Sequence, residues 1–175
     1  KTHLELKKTY KNILTIIIPR HINRVESIFK DLSDMNLKIT LYNNWNQIGD
    51  DTDILIVDAY GEAIKLYNIS KCVLLGKSLI ESLRNDSGQN PIEPARLGCK
   101  IFHGPHISNF YDVYEYLKSF GITKEVHSPM ALSQSLVEEL KEDKVRNKQI
   151  EEKIENYGQN TLNNVLSEIK IYIKN

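Results

Sequence analysis

An excess of charge of either sign is missing from this chain: Lys and Arg number 23, Asp and Glu also 23. Net charge therefore makes no case for a nucleic-acid partner, which needs a basic surface. No apolar run approaches the roughly 20 residues of a membrane-spanning helix. The charged run Glu138–Glu155 carries both signs and reads as a solvated helix face. Cysteine is scarce. Cys72 and Cys99 have neither metal nor redox spacing, so a zinc site and a disulfide scaffold are excluded. Both fall at the starts of predicted buried strands and read as inert core thiols. No signal-peptide pattern is visible, and the expected compartment is a reducing cytoplasm. No internal repeat is present. The first residue is Lys1, and His3–Tyr10 reads as the tail of a helix with Leu4, Leu6 and Tyr10 as its apolar positions. The chain is expected to be a piece of a longer protein.

The chain does have alternation of strands and helices. Its 175 residues, 41% hydrophobic and 26% charged, suffice for one domain with a full core. Ile13–Ile18 is a β-branched run broken only by Leu14, the pattern of a central strand buried on both faces. Lys38–Tyr42, Asp53–Val57, Cys72–Leu75, Lys100–Phe102 and Glu125–Val126 are further predicted strands. Predicted helices are Arg24–Met35, Gly61–Tyr67, Pro91–Leu97, Phe110–Phe120, Pro129–Leu140, Lys144–Tyr157 and Thr161–Ile173. This order predicts a Rossmann-like three-layer α/β domain with a mostly parallel sheet, one domain over 1–175 with a C-terminal helix over 158–175. Ligands of such folds sit beyond the carboxyl ends of the strands. The long polar loop Lys77–Gln89 lies at that edge.

The strand ends carry the chemistry. Ile13–Ile18 runs into Pro19-Arg20-His21, and the Arg20 fork suits a phosphate or carboxylate; the alternative is a surface Arg paired with a neighbouring acid. Asp53–Val57 runs into Asp58-Ala59-Tyr60-Gly61-Glu62, where Gly61 lets backbone N–H groups approach a ligand and Asp58 reads by default as a helix cap. Cys72–Leu75 runs into Gly76-Lys77-Ser78. The segment Gly88-Gln89-Asn90-Pro91-Ile92-Glu93-Pro94-Ala95 opens a helix, with Asn90 as N-cap and Pro91 at the first helical position. A helix N-terminus seats phosphate, and Glu93 is placed to accept ribose hydroxyls. The same residues fit a capping box, in which Glu93 bonds back to the Asn90 N–H. Four such ends on predicted neighbours point to a nucleotide or sugar-phosphate site.

In order along nearly the whole chain, Pro19-Arg20-His21-x-x-Arg24, Asp58-x-x-Gly61-Glu62 with Leu66-Tyr67, Gly76-x-Ser78-Leu79, Gly88-x-Asn90-Pro91-x-Glu93-Pro94-Ala95 and Gly104-Pro105-His106-x-x-Asn109-Phe110 resemble the C-terminal half of 3-deoxy-D-manno-octulosonic acid (Kdo) transferase. That resemblance implies half of a bacterial GT-B glycosyltransferase, in which the C-terminal domain binds the donor. It implies transfer of Kdo from CMP-Kdo to a lipid A precursor in lipopolysaccharide biosynthesis, at the cytoplasmic face of the inner membrane. Neither a cofactor nor a metal is implied. CMP would contact Pro19 and Arg20, then Tyr60, Gly61 and Glu62, then Asn90, Pro91, Ile92 and Glu93, with Lys77 and Ser78 as further phosphate contacts. The N-terminal domain of the family holds the membrane anchor, the acceptor surface and the acidic base. No catalytic residue is therefore expected here, and the fragment alone is expected to be inactive.

The chain departs from the family pattern in two places. Gly76-Lys77-Ser78 replaces the usual Gly-Gly-Ser, which puts bulk and charge beside the site. Gly88-Gln89-Asn90 replaces Gly-His-Asn, so a role for that histidine is not carried over. Two other classes share parts of the pattern. Another GT-B enzyme, such as a UDP-sugar epimerase, shares the strand-end Arg and the ribose carboxylate. A flavodoxin-like or response-regulator-like module would use Asp58, although its acidic partners and distal Lys are not evident.

Overall fold

The computed structural model describes residues 1–144 and 146–173. Its strands pair in two parallel sets of three, and the Cα trace divides into two compact units. The first unit comprises residues 1–69 and 127–141, the second 70–126 and 142–175.

The first unit holds strands β1 (Thr15–Ile17), β2 (Ile39–Leu41) and β3 (Ile54–Ile56), in the order β1-β3-β2. Thr15 pairs with Ile54 and Ile39 with the same residue from the other side. The β-branched run at 13–18 is thus not the central strand. It lies at an edge of this set and is only half-buried, while Ile54–Val57 are fully buried. Hydrophobicity alone cannot rank two apolar strands. The centre goes to the strand with partners on both sides. Helices α1 (Thr2–Lys7), α2 (Val25–Ser33), α3 (Ala63–Ile69) and α6 (Pro129–Glu139) complete the unit. α1 buries His3 and Leu6, whereas Leu4, expected inside, is exposed. The hydroxyl of Tyr10 donates to the Val137 carbonyl at 2.9 Å, tying the end of α1 to α6. Ser128 caps α6 by accepting the Ala131 N–H at 3.1 Å, with Pro129 in the first turn where its missing N–H costs nothing.

The second unit holds β4 (Cys72–Leu74), β5 (Lys100–His103) and β6 (Thr123–Glu125), with β5 in the middle. Its helices are α4 (Ile92–Arg96), α5 (Tyr111–Lys118) and α7 (Lys148–Ile173). Leu75, Ala95, Ile101, Ile107, Tyr114, Leu117 and Ile154 form one core cluster. Fully burying a residue such as Leu117 is worth about 1.5–3 kcal/mol. The sequence reading breaks the last stretch into two helices near Gly158, but α7 runs through unbroken. One exposed glycine costs a helix only about 1 kcal/mol, too little to divide it. Residues 174 and 175 of the expected C-terminal helix, and residue 145, lie outside the described residues.

Candidate functional site

In the first unit the strand ends present their residues to solvent. Pro19 is half-buried and Arg20 exposed, and the Arg20 guanidinium has no side-chain partner among the described residues. The competing reading of Arg20, a surface ion pair, therefore finds no acid. Tyr60 is 74% exposed. Gly61 has φ +80°, and a Cβ there would meet nothing within 4 Å. Glu62 is already engaged. Its carboxylate accepts the Tyr42 hydroxyl at 2.8 Å and pairs with Lys65 at 2.9 Å. Lys65 and then Tyr42 hold its pKa below the usual carboxylate value, while the same bond raises that of Tyr42. Asp58 is not a helix cap. Its carboxylate accepts the Asn43 N–H at 2.9 Å, joining the ends of β2 and β3.

At the opposite, amino ends of these strands sits a polar cluster that the sequence reading missed. His3 Nδ1 lies 2.9 Å from Thr15 Oγ1, and Nε2 lies 3.7 Å from Asp53 Oδ1. Asp53 also takes Lys7 Nζ and the Lys38 N–H. Burial works to raise the Asp53 pKa, but the Lys7 and Lys38 bonds outweigh it and the pKa is lowered. Burial lowers that of His3. An apolar-periodicity reading of α1 had no means of finding this cluster, because His3 is the polar residue on its inward face.

In the second unit the strand ends are knitted together. Ser78 is fully buried. Its hydroxyl donates to the Leu75 carbonyl at 2.7 Å and accepts the Gly104 N–H at 2.9 Å, and its carbonyl accepts the His106 N–H at 3.0 Å. The hydroxyl is thus engaged within the fold both as donor and as acceptor. Gly104 is required here. A Cβ on it would lie 2.1 Å from the Ser78 carbonyl oxygen, so the close approach admits no side chain. Lys77 holds φ +63° and is half-buried. His106 Nε2 pairs with Glu81 at 2.9 Å.

Asn90 is not the N-cap of α4, a place that Pro91 takes; it lies one residue earlier, and its Oδ1 accepts the Ile92 N–H at 3.0 Å in an Asx turn at the helix entry. Pro91 sits just before the helix, one place earlier than expected, and is fully buried; Ile92 is half-buried. Glu93 is exposed and makes no side-chain hydrogen bond among the described residues, so the back-bond of a capping box is not formed. α4 is only 5 residues long. Its summed dipole is correspondingly small, and the expected phosphate seat loses its main support. The carboxylate of Glu93 gains by comparison, since nothing in the fold uses it.

Two buried titratable residues lie at either end of β5. His103 is buried at the carboxyl end of β5, its Nδ1 2.7 Å from the Gly104 carbonyl. Burial lowers its pKa; the Gly104 carbonyl, Glu125 and Glu115 pull the other way and do not prevail. Its ring meets that of Tyr114 at 4.5 Å between centroids. Cys99 is buried and its thiol pKa is raised by that burial, as suits an inert core thiol. Among the described residues no group of three or more His, Cys, Asp or Glu is placed to hold a metal ion, and no helix is long and apolar enough to cross a membrane.

Parallel three-stranded sets with interleaved helices and loaded strand ends define a Rossmann-like α/β protein. The crystal structure of the C-terminal CMP-Kdo binding domain of WaaA from Acinetobacter baumannii has this fold, with a TM-score of 0.75 over 89% of this chain and 78% of that one at 20% identity. No protein-family model matches the chain. In sequence it is 31% identical over 151 residues to the 3-deoxy-D-manno-octulosonic acid transferase of Aquifex aeolicus, covering 85% of this chain. It is 28% identical over 163 residues to that of Haemophilus influenzae, covering 93%. This chain is thus related to the Kdo transferases. It spans 40% and 36% of the lengths of those two relatives.

Proposed function

We propose that this chain is the donor-binding domain of a Kdo transferase. CMP-Kdo is its ligand, a lipid A precursor the acceptor of the transfer it serves, and the cytoplasmic face of the bacterial inner membrane the place of work. The observation that carries the reading is Glu93: a carboxylate exposed at a strand-end edge, unused by the fold, next to the turn that the Asn90 side chain closes on Ile92. Free carboxylates in that position suit ribose hydroxyls, which donate to both oxygens. The sequence relationship to Kdo transferases supports the choice of nucleotide.

In this proposal Asn90, Pro91, Ile92 and Glu93 hold the nucleoside. Pro19 and Arg20 serve the phosphate, with Arg20 free to make charge-assisted bonds to it. The Tyr60-Gly61-Glu62 turn contributes backbone and the Tyr60 ring, since the Glu62 side chain is committed to Tyr42 and Lys65. A cationic group beside the phosphate favours departure of CMP, because negative charge grows there as the glycosidic bond breaks. No residue of this chain is assigned as base.

Titration with CMP, UMP and AMP by calorimetry tests the reading. CMP is expected to bind most tightly. Preference for UMP would move the chain to a UDP-sugar enzyme, and no preference would remove the nucleotide site.

A further inference from the structure

Three consecutive residues ahead of Asn90 are each fastened by a different residue of the stretch 107–114. The Ser87 carbonyl accepts the Asn109 N–H at 3.3 Å. Gly88, at φ +84°, lies so close to Ile107 that a Cβ on it would sit 3.1 Å from the Ile107 Cα. The Gln89 carbonyl accepts the Tyr114 hydroxyl at 3.0 Å. Tyr114 is only 1% exposed, its ring is braced by His103 at 4.5 Å and 58°, and its own carbonyl accepts the Thr123 hydroxyl at 3.3 Å. Neither Asn90 nor Glu93 has a tether of this kind through its own side chain; Asn90 bonds only within the turn, to Ile92. Their placement is inherited from Gln89.

We propose that Tyr114 is a positioning residue for nucleotide binding: through the Gln89 carbonyl its hydroxyl sets where Asn90 and Glu93 stand. The inference rests on the donor-site reading above and adds to it a buried residue that touches no ligand. A tyrosine whose ring alone mattered would need no partner for its hydroxyl beyond water. This one spends it on the carbonyl of the residue immediately before Asn90.

Tyr114→Phe in this chain separates the two roles, because the ring, its packing and the His103 contact all remain. Gln89 is half-buried, so water can replace the lost donor and the fold should tolerate the change. The expected result is a Kd for CMP raised roughly three- to tenfold, the size of one hydrogen bond, with Tm lowered by no more than about 3 °C. Combined with Glu93→Gln, the loss should be smaller than the product of the two single effects, since a mispositioned carboxylate is worth less to remove. CMP affinity within twofold of the parent, or strictly multiplicative losses, would overturn the inference. If Glu93→Gln weakens CMP while Tyr114→Phe does not, the positioning role alone fails. If Glu93→Gln has no effect, the donor-site reading falls and the positioning role with it.

Discussion

Replacing Gly104 by alanine should be among the most damaging single changes in the second unit. The added Cβ would stand 2.1 Å from the Ser78 carbonyl oxygen, 2.6 Å from its carbon and 2.8 Å from Leu79 Cδ2. Ordinary contact begins at 3.4 Å, so the Ser78 turn must retreat by more than an ångström. Two buried bonds cross that gap, Gly104 N–H to Ser78 Oγ at 2.9 Å and His106 N–H to the Ser78 carbonyl at 3.0 Å. Leaving each donor unsatisfied costs about 1–3 kcal/mol, which gives roughly 2–6 kcal/mol in all. That is a large share of a typical stability of about 5–15 kcal/mol. Urea unfolding followed by circular dichroism would measure the difference. Gly76→Ala is the control, because a Cβ there meets only Gln89 Nε2 at 3.7 Å. A Gly104→Ala loss below about 1 kcal/mol, or one equal to that of Gly76→Ala, would refute the reasoning and mean that the turn yields freely.

Glu93→Gln should weaken cytidine and CMP by similar factors of roughly ten, the loss of a charge-assisted bond, whereas Arg20→Ala should weaken CMP and leave cytidine nearly unchanged; calorimetry that found both variants hurting both ligands alike would dissolve that division of labour. Stability should decline as pH falls below about 6.5, because His103 and His3 are held neutral by burial and the unfolded chain then binds the extra protons. The decline continues down to the lowered folded pKa values. His103→Gln should flatten part of that profile between pH 7.5 and 5.5, and a profile parallel to the parent's would exclude His103 as a contributor. Gly158→Ala should raise stability by about 0.5–1 kcal/mol, since a Cβ at this exposed point of α7 meets nothing within 4 Å; a thermal melt that drops instead would show that the helix needs its glycine.

The parts legible in the sequence are those set by local pattern. β1 to β5 fall on the predicted runs, whereas β6 overlaps its predicted stretch only at Glu125. What escaped depended on partners far along the chain. The run at 13–18 is more apolar than a typical edge strand, and only its pairing with β3 reveals its place. That the Ser78 hydroxyl meets Gly104, 26 positions on, is beyond any local pattern. Tyr114 reads as a packing residue because helical spacing describes its ring and says nothing of its hydroxyl. Glu93 shows the reverse: the capping-box pattern is present in the residues, yet the bond it predicts is not made.

The first unit is not contiguous in sequence. Thr2 Oγ1 donates to the Pro129 carbonyl at 3.3 Å, and Tyr10 reaches Val137, each across 127 residues. α1 therefore gains α6 as a packing partner only after the whole second-unit stretch 70–126 has been made. Within residues 1–69 α1 already meets β1 and the start of β3, through His3 to Thr15 and Lys7 to Asp53, but its bonds to the 129–137 stretch must wait for α6. Closing so long a loop is slow rather than prohibitive, because its entropy grows only as the logarithm of its length. The second unit is interrupted in the same way, since its core residue Ile154 follows α6, so each unit is completed only by a segment made after part of the other.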